Sequence, residues 1–285
     1  MDDKCYSLEL SLEENKNTNL EIELLLEAIF KLSGFDFRQY ARTSISRRIY
    51  NRMKLSKTPT ISRLLEKVIH EEGFLEQLLN DFSINVTEMF RNPSFFHSLR
   101  QHILPELKKH SEIRIWHAGC STGEEVLSMA ILLEEAGLRD KAIIYATDMN
   151  LDVLQQAKQG KLPLNKMQTY TKNYIQAGGT RAFSEYYTTD YRYAYFNQSL
   201  LKNIIFAQHN LVTDQSFNEF HLILCRNVLI YFTTPLQNQV HKLFYESLCE
   251  TGFLGLGNKE TLQFADVMPY YERFVSSEQI YQKIK

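Results

Sequence analysis

Six prolines, eleven glycines, one tryptophan and four cysteines in 285 residues exclude several classes of protein at the outset. Cys5, Cys120, Cys225 and Cys249 have neither paired metal-ligand spacing nor the density of a disulfide scaffold, so reduced thiols and no metal site are expected. No stretch reaches the roughly 18 consecutive apolar residues that span a bilayer, and the opening segment has no apolar run following basic residues. A cytoplasmic protein without membrane insertion is the expectation. The net charge of -2 lacks the basic excess that phosphate binding requires, which argues against nucleic acid as a partner. Asn85-Val86-Thr87 matches a glycosylation sequon, but without a secretory signal the match carries little. What is present is 44% hydrophobic residues, enough for a sizeable core in one large domain or a small plus a medium one.

The front of the chain reads as helical. Ile22, Leu25, Leu26, Ile29 and Leu32 share one face of a pattern over residues 21–32. After Ser33-Gly34 comes a basic stretch, Arg38 to Lys57, in which a helix beginning near Ser44 would bury Ile45, Ile49 and Met53. Arg47 and Lys54 would then point away, with Arg48 and Arg52 at the margin of the stripe. Such a charge run is either a solvated helix face or a local cationic surface that docks an acidic partner. Helical pattern continues to Leu79, and a boundary is expected near residue 80: a helical domain over 1–80 and a second domain over 81–285.

From about residue 111, short apolar runs alternate with helical stretches, the signature of βαβ units and a largely parallel sheet. Strands are expected at Ile113–Trp116, Ala142–Thr147, Ile204–Ala207, Phe220–Cys225 and Phe253–Leu256. A helix capped by Thr233 or Thr234, with Pro235 in its first turn, would end at Gly252 in the left-handed conformation. The tyrosine-rich interval 162–201 breaks the rhythm. Its alternation in Tyr191-Arg192-Tyr193-Ala194-Tyr195 favours a strand in a small antiparallel insertion.

The most informative stretch runs from Trp116 to Glu125, the end of a buried strand passing through Gly119 and Gly123 into a helix. The second strand ends in Asp148, placed to accept hydrogen bonds from both ribose hydroxyls of an adenosine-containing cofactor. A pyrophosphate would favour G-x-G-x-x-G and would be repelled by Glu124 and Glu125 in the first helical turn. The ammonium and sulfonium of S-adenosylmethionine would be attracted there, so methyl transfer is the better reading. Helix-dipole complementarity for the glutamates, and a helix-capping role for Asp148, are the plainer alternatives.

The run Trp116 to Glu125, the segment Asn85-Val86-Thr87-Glu88-Met89-Phe90-Arg91, the Ala146-Thr147-Asp148 strand end and Cys225-Arg226-Asn227-Val228-Leu229-Ile230-Tyr231-Phe232 together resemble the CheR-type chemotaxis receptor methyltransferases. The resemblance covers nearly the whole chain. It implies an α/β fold: a Rossmann-like S-adenosylmethionine-dependent domain with a small antiparallel β insertion, preceded by a small all-α domain. It also implies transfer of methyl groups from S-adenosylmethionine to glutamate side chains on cytoplasmic helices of chemoreceptors, leaving S-adenosylhomocysteine, by a monomer. By the same resemblance Asn85, Thr87 and Arg91 wall the cofactor, and Gly119 lies in its loop. Glu125 and Asp148 hold its amino-acid and ribose portions, Asn210 and Leu211 flank the adenine, and Arg226 and Asn227 complete the pocket. Arg91 and Tyr231 face the transferring methyl as candidate catalytic residues, while Arg47, Arg48, Arg52 and Lys54 recognise the receptor. An ionised glutamate is already a nucleophile, so no activating His or Cys is required.

Three departures stand out. Val126-Leu127-Ser128 replaces Pro-Tyr-Ser. Gly257-Asn258-Lys259-Glu260 replaces Gly-x-Ser-Glu, leaving substrate-side contacts there open. Tyr187-Thr188-Thr189-Asp190-Tyr191 stands where relatives that grip a receptor tail have a glycine-rich turn, so no such tether is expected. The rival readings are a receptor-binding module of the same fold that has lost turnover, a methyltransferase acting on RNA or a small molecule, and a nicotinamide dehydrogenase.

Overall fold

The computed structural model describes residues 16–83 and 86–285; Cys5 and the candidate site residue Asn85 lie outside the described residues. Two compact units divide at Ser83/Ile84, against an expected boundary near residue 80.

In the first unit, helix α1 (Lys16–Ser33) buries Ile22, Leu25, Leu26 and Ile29. Leu32, expected on the same face, is 52% exposed in the last turn. Helix α2 (Arg42–Leu55) starts two residues before Ser44 and buries Ile45 and Ile49. Helix α3 (Ile61–His70) is capped by Thr60, whose Oγ1 accepts from the Arg63 amide at 3.2 Å. Helix α4 (Phe74–Phe82) adds Phe74, Leu78 and Phe82 to the core.

The second unit is built on a seven-stranded sheet in the order β6-β2-β1-β7-β8-β10-β9. Strands β1 (Ile113–Ala118), β2 (Ala142–Asp148), β6 (Ile204–Gln208), β7 (Phe220–Cys225) and β8 (Leu248–Leu256) run parallel. β9 (Tyr271–Val275) and β10 (Ile280–Lys283) return antiparallel at one edge. Because β1 and β7 are covered on both faces, they read as apolar runs rather than as alternation. Strand order reverses between β1 and β7, and the carboxyl ends of these two strands open the crevice where such sheets bind ligands.

Helix α5 (Pro93–Ser98) continues through a wide turn at Leu99–Ile103 into Leu104–Leu107. It brings Phe95, Phe96, Leu99 and Ile103 into the main core, together with Phe90 from the preceding arm. Helix α6 (Glu124–Glu135) follows β1, α7 (Leu151–Lys158) follows β2, and α9 (Thr234–Ser247) precedes β8. The expected insertion is present. Strands β3 (Lys161–Pro163), β4 (Tyr187–Thr189) and β5 (Tyr193–Phe196) form an antiparallel sheet in the order β3-β5-β4, and helix α8 (Met167–Gln176) lies between β3 and β4. Among the described residues no helix is long and apolar enough to cross a membrane.

Two local expectations are corrected. Tyr191 and Arg192 form the turn before β5 instead of its start, because the Asp190 carboxylate accepts the amides of Arg192 and Tyr193, each at 2.7 Å. Helix α9 ends at Ser247 and passes directly into extended Leu248, so Gly252 does not terminate it; the left-handed residue nearby is Thr251 (φ 61), inside β8. Gly252 is needed for close approach: a Cβ there would lie 3.0 Å from the Cys249 carbonyl oxygen and 3.1 Å from that of Phe220.

The insertion is fastened to the sheet domain through Glu135, the last residue of α6. Its carboxylate pairs with Arg100 at 2.6 Å and accepts from Tyr186 Oη at 3.0 Å, from the Thr180 amide at 3.0 Å and from the Tyr174 hydroxyl. Glu135→Ala would take the paired carboxylate from the half-buried Arg100 guanidinium and the acceptor from two phenols. A loss of about 3–5 kcal/mol is expected by denaturant titration, with proteolysis between residues 177 and 197 preceding global unfolding. An unchanged midpoint and cleavage pattern would show that other contacts hold the insertion.

Candidate active site

The loop after β1 is locked to the end of β2 by two amides, those of Gly119 and Cys120, which both donate to the Thr147 carbonyl at 2.8 Å. Gly119 adopts φ 83, and a Cβ there would sit 2.6 Å from Val228 Cγ2. The glycine is therefore demanded by packing against the β7 loop as well as by the turn. Two residues on, Ser121 holds a left-handed φ of 50 without being glycine, and its amide donates to Asp148 Oδ2 at 2.9 Å. The other Asp148 oxygen accepts from the Asn150 amide at 3.0 Å. Asn150, not Asp148, caps α7, accepting from the amides of Asp152 and Val153. With the capping role taken, Asp148 presents at the mouth of the crevice a carboxylate whose oxygens each accept from a backbone amide. Burial pushes its carboxyl above the usual range, against the opposing pull of the Asn150, Ser121 and Met149 amides.

The paired glutamates have different environments. Glu124 is buried; Thr122 Oγ1 donates to it at 2.6 Å and Tyr170 Oη lies at 3.4 Å, and burial raises its carboxyl. Glu125 is gripped from both sides, Oε1 by His117 Nδ1 at 3.0 Å and Oε2 by Arg226 Nη1 at 2.9 Å. Burial alone would raise it, but the His117 hydrogen bond and the Arg226 charge outweigh that and hold it below the ordinary value.

Arg226, at the end of β7, joins three segments. Besides Glu125 it donates through Nη2 to the Arg91 carbonyl at 2.9 Å and to Asn92 Oδ1 at 3.0 Å, and its guanidinium stacks 4.1 Å above the Phe95 ring. Its side chain is 1% exposed. The arm carrying Thr87 and Arg91 is pinned at two further points. The Phe90 amide donates to Ser128 Oγ at 2.9 Å, and Asn173 Nδ2 donates to the Met89 carbonyl at 3.1 Å. Arg91 itself donates through Nη1 to the Val86 carbonyl at 3.0 Å.

At the end of β6, the His209 amide donates to the Asp148 carbonyl at 3.2 Å, which places Asn210 and Leu211 beside the β2 tip. Asn210 Oδ1 accepts the Val212 amide at 3.0 Å, and both residues are 8% exposed. Tyr231 closes a short turn, Leu229–Tyr231, after the left-handed Asn227 (φ 63). Thr87, Arg91, Gly119, Glu125, Asp148, Asn210, Leu211, Arg226, Asn227 and Tyr231 thus lie on the arm and on the loops at the strand ends. Arg47, Arg48, Arg52 and Lys54 belong to α2 of the first unit. There Arg47 and Lys54 are exposed, whereas Arg48 Nη1 donates to the Asp81 carbonyl at 2.8 Å and Arg52 pairs with the Asp81 carboxylate and Gln77 at the end of α4.

The donor set discriminates between cofactors. An acidic strand tip and a helix whose first turn carries two carboxylates offer nothing to a pyrophosphate, while the buried Ser121 Oγ has no partner among the described residues. Hydroxyl-bearing and cationic groups fit this lining. Residues 85–277 match the family described as CheR methyltransferase, SAM binding domain, and residues 20–83 match CheR methyltransferase, all-alpha domain.

The chain belongs to the CheR methyltransferase family. The Pseudomonas putida protein named Cher3 is 47% identical over 268 residues, 94% of this chain and 98% of that one. A chemotaxis protein methyltransferase of Listeria monocytogenes is 31% identical over 236 residues, 80% of this chain and 85% of that one. Another from Salmonella typhimurium is 27% identical over 243 residues, 83% and 82% of the two chains. The cofactor of this methyltransferase is S-adenosylmethionine, which supplies an electrophilic methyl group on a positively charged sulfur. The expected methyltransferase fold and cofactor are borne out.

Sequence reasoning passed over Ser128, Asn173, Asn92 and the clasp of His117 on Glu125. Each acts by a single hydrogen bond across a distance of chain, which leaves no local pattern to read.

Asp148→Asn is expected to weaken S-adenosylhomocysteine binding about tenfold or more at neutral pH by isothermal titration, through loss of a charged acceptor. In the wild type, affinity should fall on acidification from above the ordinary carboxylate range, and the variant should lack that step. Stability should move the other way. A carboxyl whose folded pKa is raised binds protons more readily when folded, so its ionised form costs stability as pH rises through that pKa, and Asp148→Asn removes this pH dependence. Unchanged affinity in the variant would remove Asp148 from the cofactor site.

Proposed function

We propose that the protein is a protein-glutamate O-methyltransferase acting on cytoplasmic helices of methyl-accepting chemoreceptors, and that it works in the cytoplasm as a monomer. One observation supports the chemistry: among the described residues, neither the thiols nor the histidine beside the cofactor loop is free to act as a general base. The Cys120 and Cys225 thiols are driven well above their ordinary value by burial, and His117 is engaged with Glu125. A hydroxyl or amine substrate would need a base to accept its proton, whereas a glutamate carboxylate is nucleophilic at neutral pH. Chemotaxis methyltransferases among the relatives support the same substrate class.

In this reading Asp148 and Glu125 hold the ribose and amino-acid portions of the cofactor. Asn210 and Leu211 flank the adenine, and Asn85, Thr87, Gly119 and Asn227 complete the enclosure. Arg226 acts one step back, by fixing Glu125 and the arm together. The Arg91 guanidinium orients the substrate carboxylate, and Tyr231 donates a hydrogen bond beside the reacting oxygen. Each ester formed removes one negative charge from the receptor helix, which can bias a two-state signalling bundle. Receptor docking falls to the exposed Arg47 and Lys54, while Arg48 and Arg52 hold α2 against α4.

Incubation of the full chain with receptor cytoplasmic fragments and methyl-labelled cofactor should yield label released as methanol by mild base. Cofactor binding without any labelled receptor would favour a non-catalytic module, and base-stable label would overturn the ester assignment. The double variant Arg47→Glu/Lys54→Glu should lower kcat/KM for receptor about tenfold, more at low salt than at high, with S-adenosylhomocysteine affinity unchanged. Arg52→Ala should instead lower the unfolding midpoint. Equal kcat/KM in the charge-reversed variant would move docking off α2.

A further inference from the structure

The corner where Gly257-Asn258-Lys259-Glu260 departs from its relatives contains an interaction that the cofactor and substrate assignments leave unused. Asn258 and Lys259 point outward, while Glu260 is 5% exposed. Its carboxylate faces a set of backbone amides. Oε2 accepts from Gly257 at 2.7 Å and Asn227 at 2.9 Å; Oε1 accepts from Val228 at 2.9 Å, Leu229 at 2.8 Å and, more weakly, Ile230 at 3.4 Å. Among the described residues no cation is paired with it within 4 Å. A buried carboxylate without a counter-ion is tolerated only when its oxygens are saturated by donors, and here four of the five donors come from one loop.

That loop is the one following Arg226, and its amides can converge only because Asn227 adopts φ 63. Left-handed backbone is uncommon at a non-glycine residue, asparagine tolerating it better than most, and it persists where its surroundings over-determine it. The fixed anion is what over-determines this one. Gly257 belongs to the same arrangement: a Cβ there would lie 2.7 Å from Glu260 Oε2 and 2.9 Å from the Asn227 nitrogen.

We propose that Glu260 is a positioning residue, whose carboxylate folds the Asn227–Ile230 turn around itself and thereby sets where Asn227 and Tyr231 present their side chains. Asparagine at 227 permits the left-handed turn but does not by itself fix it. Remove one acceptor and Asn227 is free to return to the ordinary region, carrying Tyr231 with it. The inference concerns the architecture of the site and stands apart from which methyl acceptor is used, although the role it gives Asn227 and Tyr231 rests on the proposed function.

The test compares wild type with Glu260→Gln, which keeps the shape but turns one acceptor into a donor facing N–H groups, and with Glu260→Asp, which keeps the charge on a shorter stem. Two readouts are taken: amide hydrogen exchange, and titration with S-adenosylhomocysteine. In Glu260→Gln, protection should fall at Asn227, Val228 and Leu229 while β8 stays protected, and affinity should drop about tenfold or more. Glu260→Asp should recover part of both. Combined with Asn227→Ala, Glu260→Gln should add little further loss, since the two act through one loop. Exchange that rises at the turn with affinity unchanged would reduce Glu260 to a structural role and overturn the proposal, as would fully additive losses. If Glu260→Gln does not fold, Glu260→Asp decides by the same two readouts. Failure of the wild type to esterify receptors would sink the receptor reading but leave these measurements intact.

Discussion

A guanidinium taken out of water is the constraint on which the rest of the site depends. Arg226 is buried at the end of the central strand β7, where an unpaired charge would be prohibitive. It is tolerated because Glu125, the Arg91 carbonyl, the Asn92 amide oxygen and the Phe95 ring each take part of it. Satisfying that one side chain forces the arm before α5, the first turn of α6 and the end of β7 to converge. The cofactor loop and the arm are in this sense built around a cation, and lysine at 226 could not reproduce the fork.

Part of the backbone strain follows the same map. Phe90, Asn92, Ser121 and Asn227 all hold positive φ without being glycine, and all four lie on the arm or on the loops at the strand ends. Each is held by a specific partner: Phe90 by the Ser128 hydroxyl, Asn92 by Arg226, Ser121 by Asp148, Asn227 by Glu260. Strain kept in place by polar contacts around a crevice is a mark of a site shaped in advance of its ligand.

The parallel sheet was legible because β1 and β7 are largely buried and β2 nearly so, which writes short, mostly apolar runs into the sequence. Asp148 and the glycine loop were legible because their chemistry is local. The fasteners were not. Ser128 sits in a run that reads as core helix, and Glu260 receives its bonds from peptide N–H groups, which every residue but proline carries and which no composition betrays. The marginal place of Arg48 and Arg52 on α2 was legible from helical spacing, but not what they meet there: the end of α4, where the Asp81 carbonyl and carboxylate and Gln77 receive them.

Helix α6 begins at Glu124 and ends at Glu135, twelve residues spanning about 18 Å. One end holds Glu125 between His117 and Arg226 at the strand ends; the other holds Glu135, the clasp of the tyrosine-rich insertion. The same short rod therefore measures the separation of two features that share no sequence motif and no direct bond. A substitution in its buried middle, at Met129 or Leu132, that rotates or shortens the rod will shift both ends in step. Damage to the insertion and loss of cofactor affinity will then be inherited together.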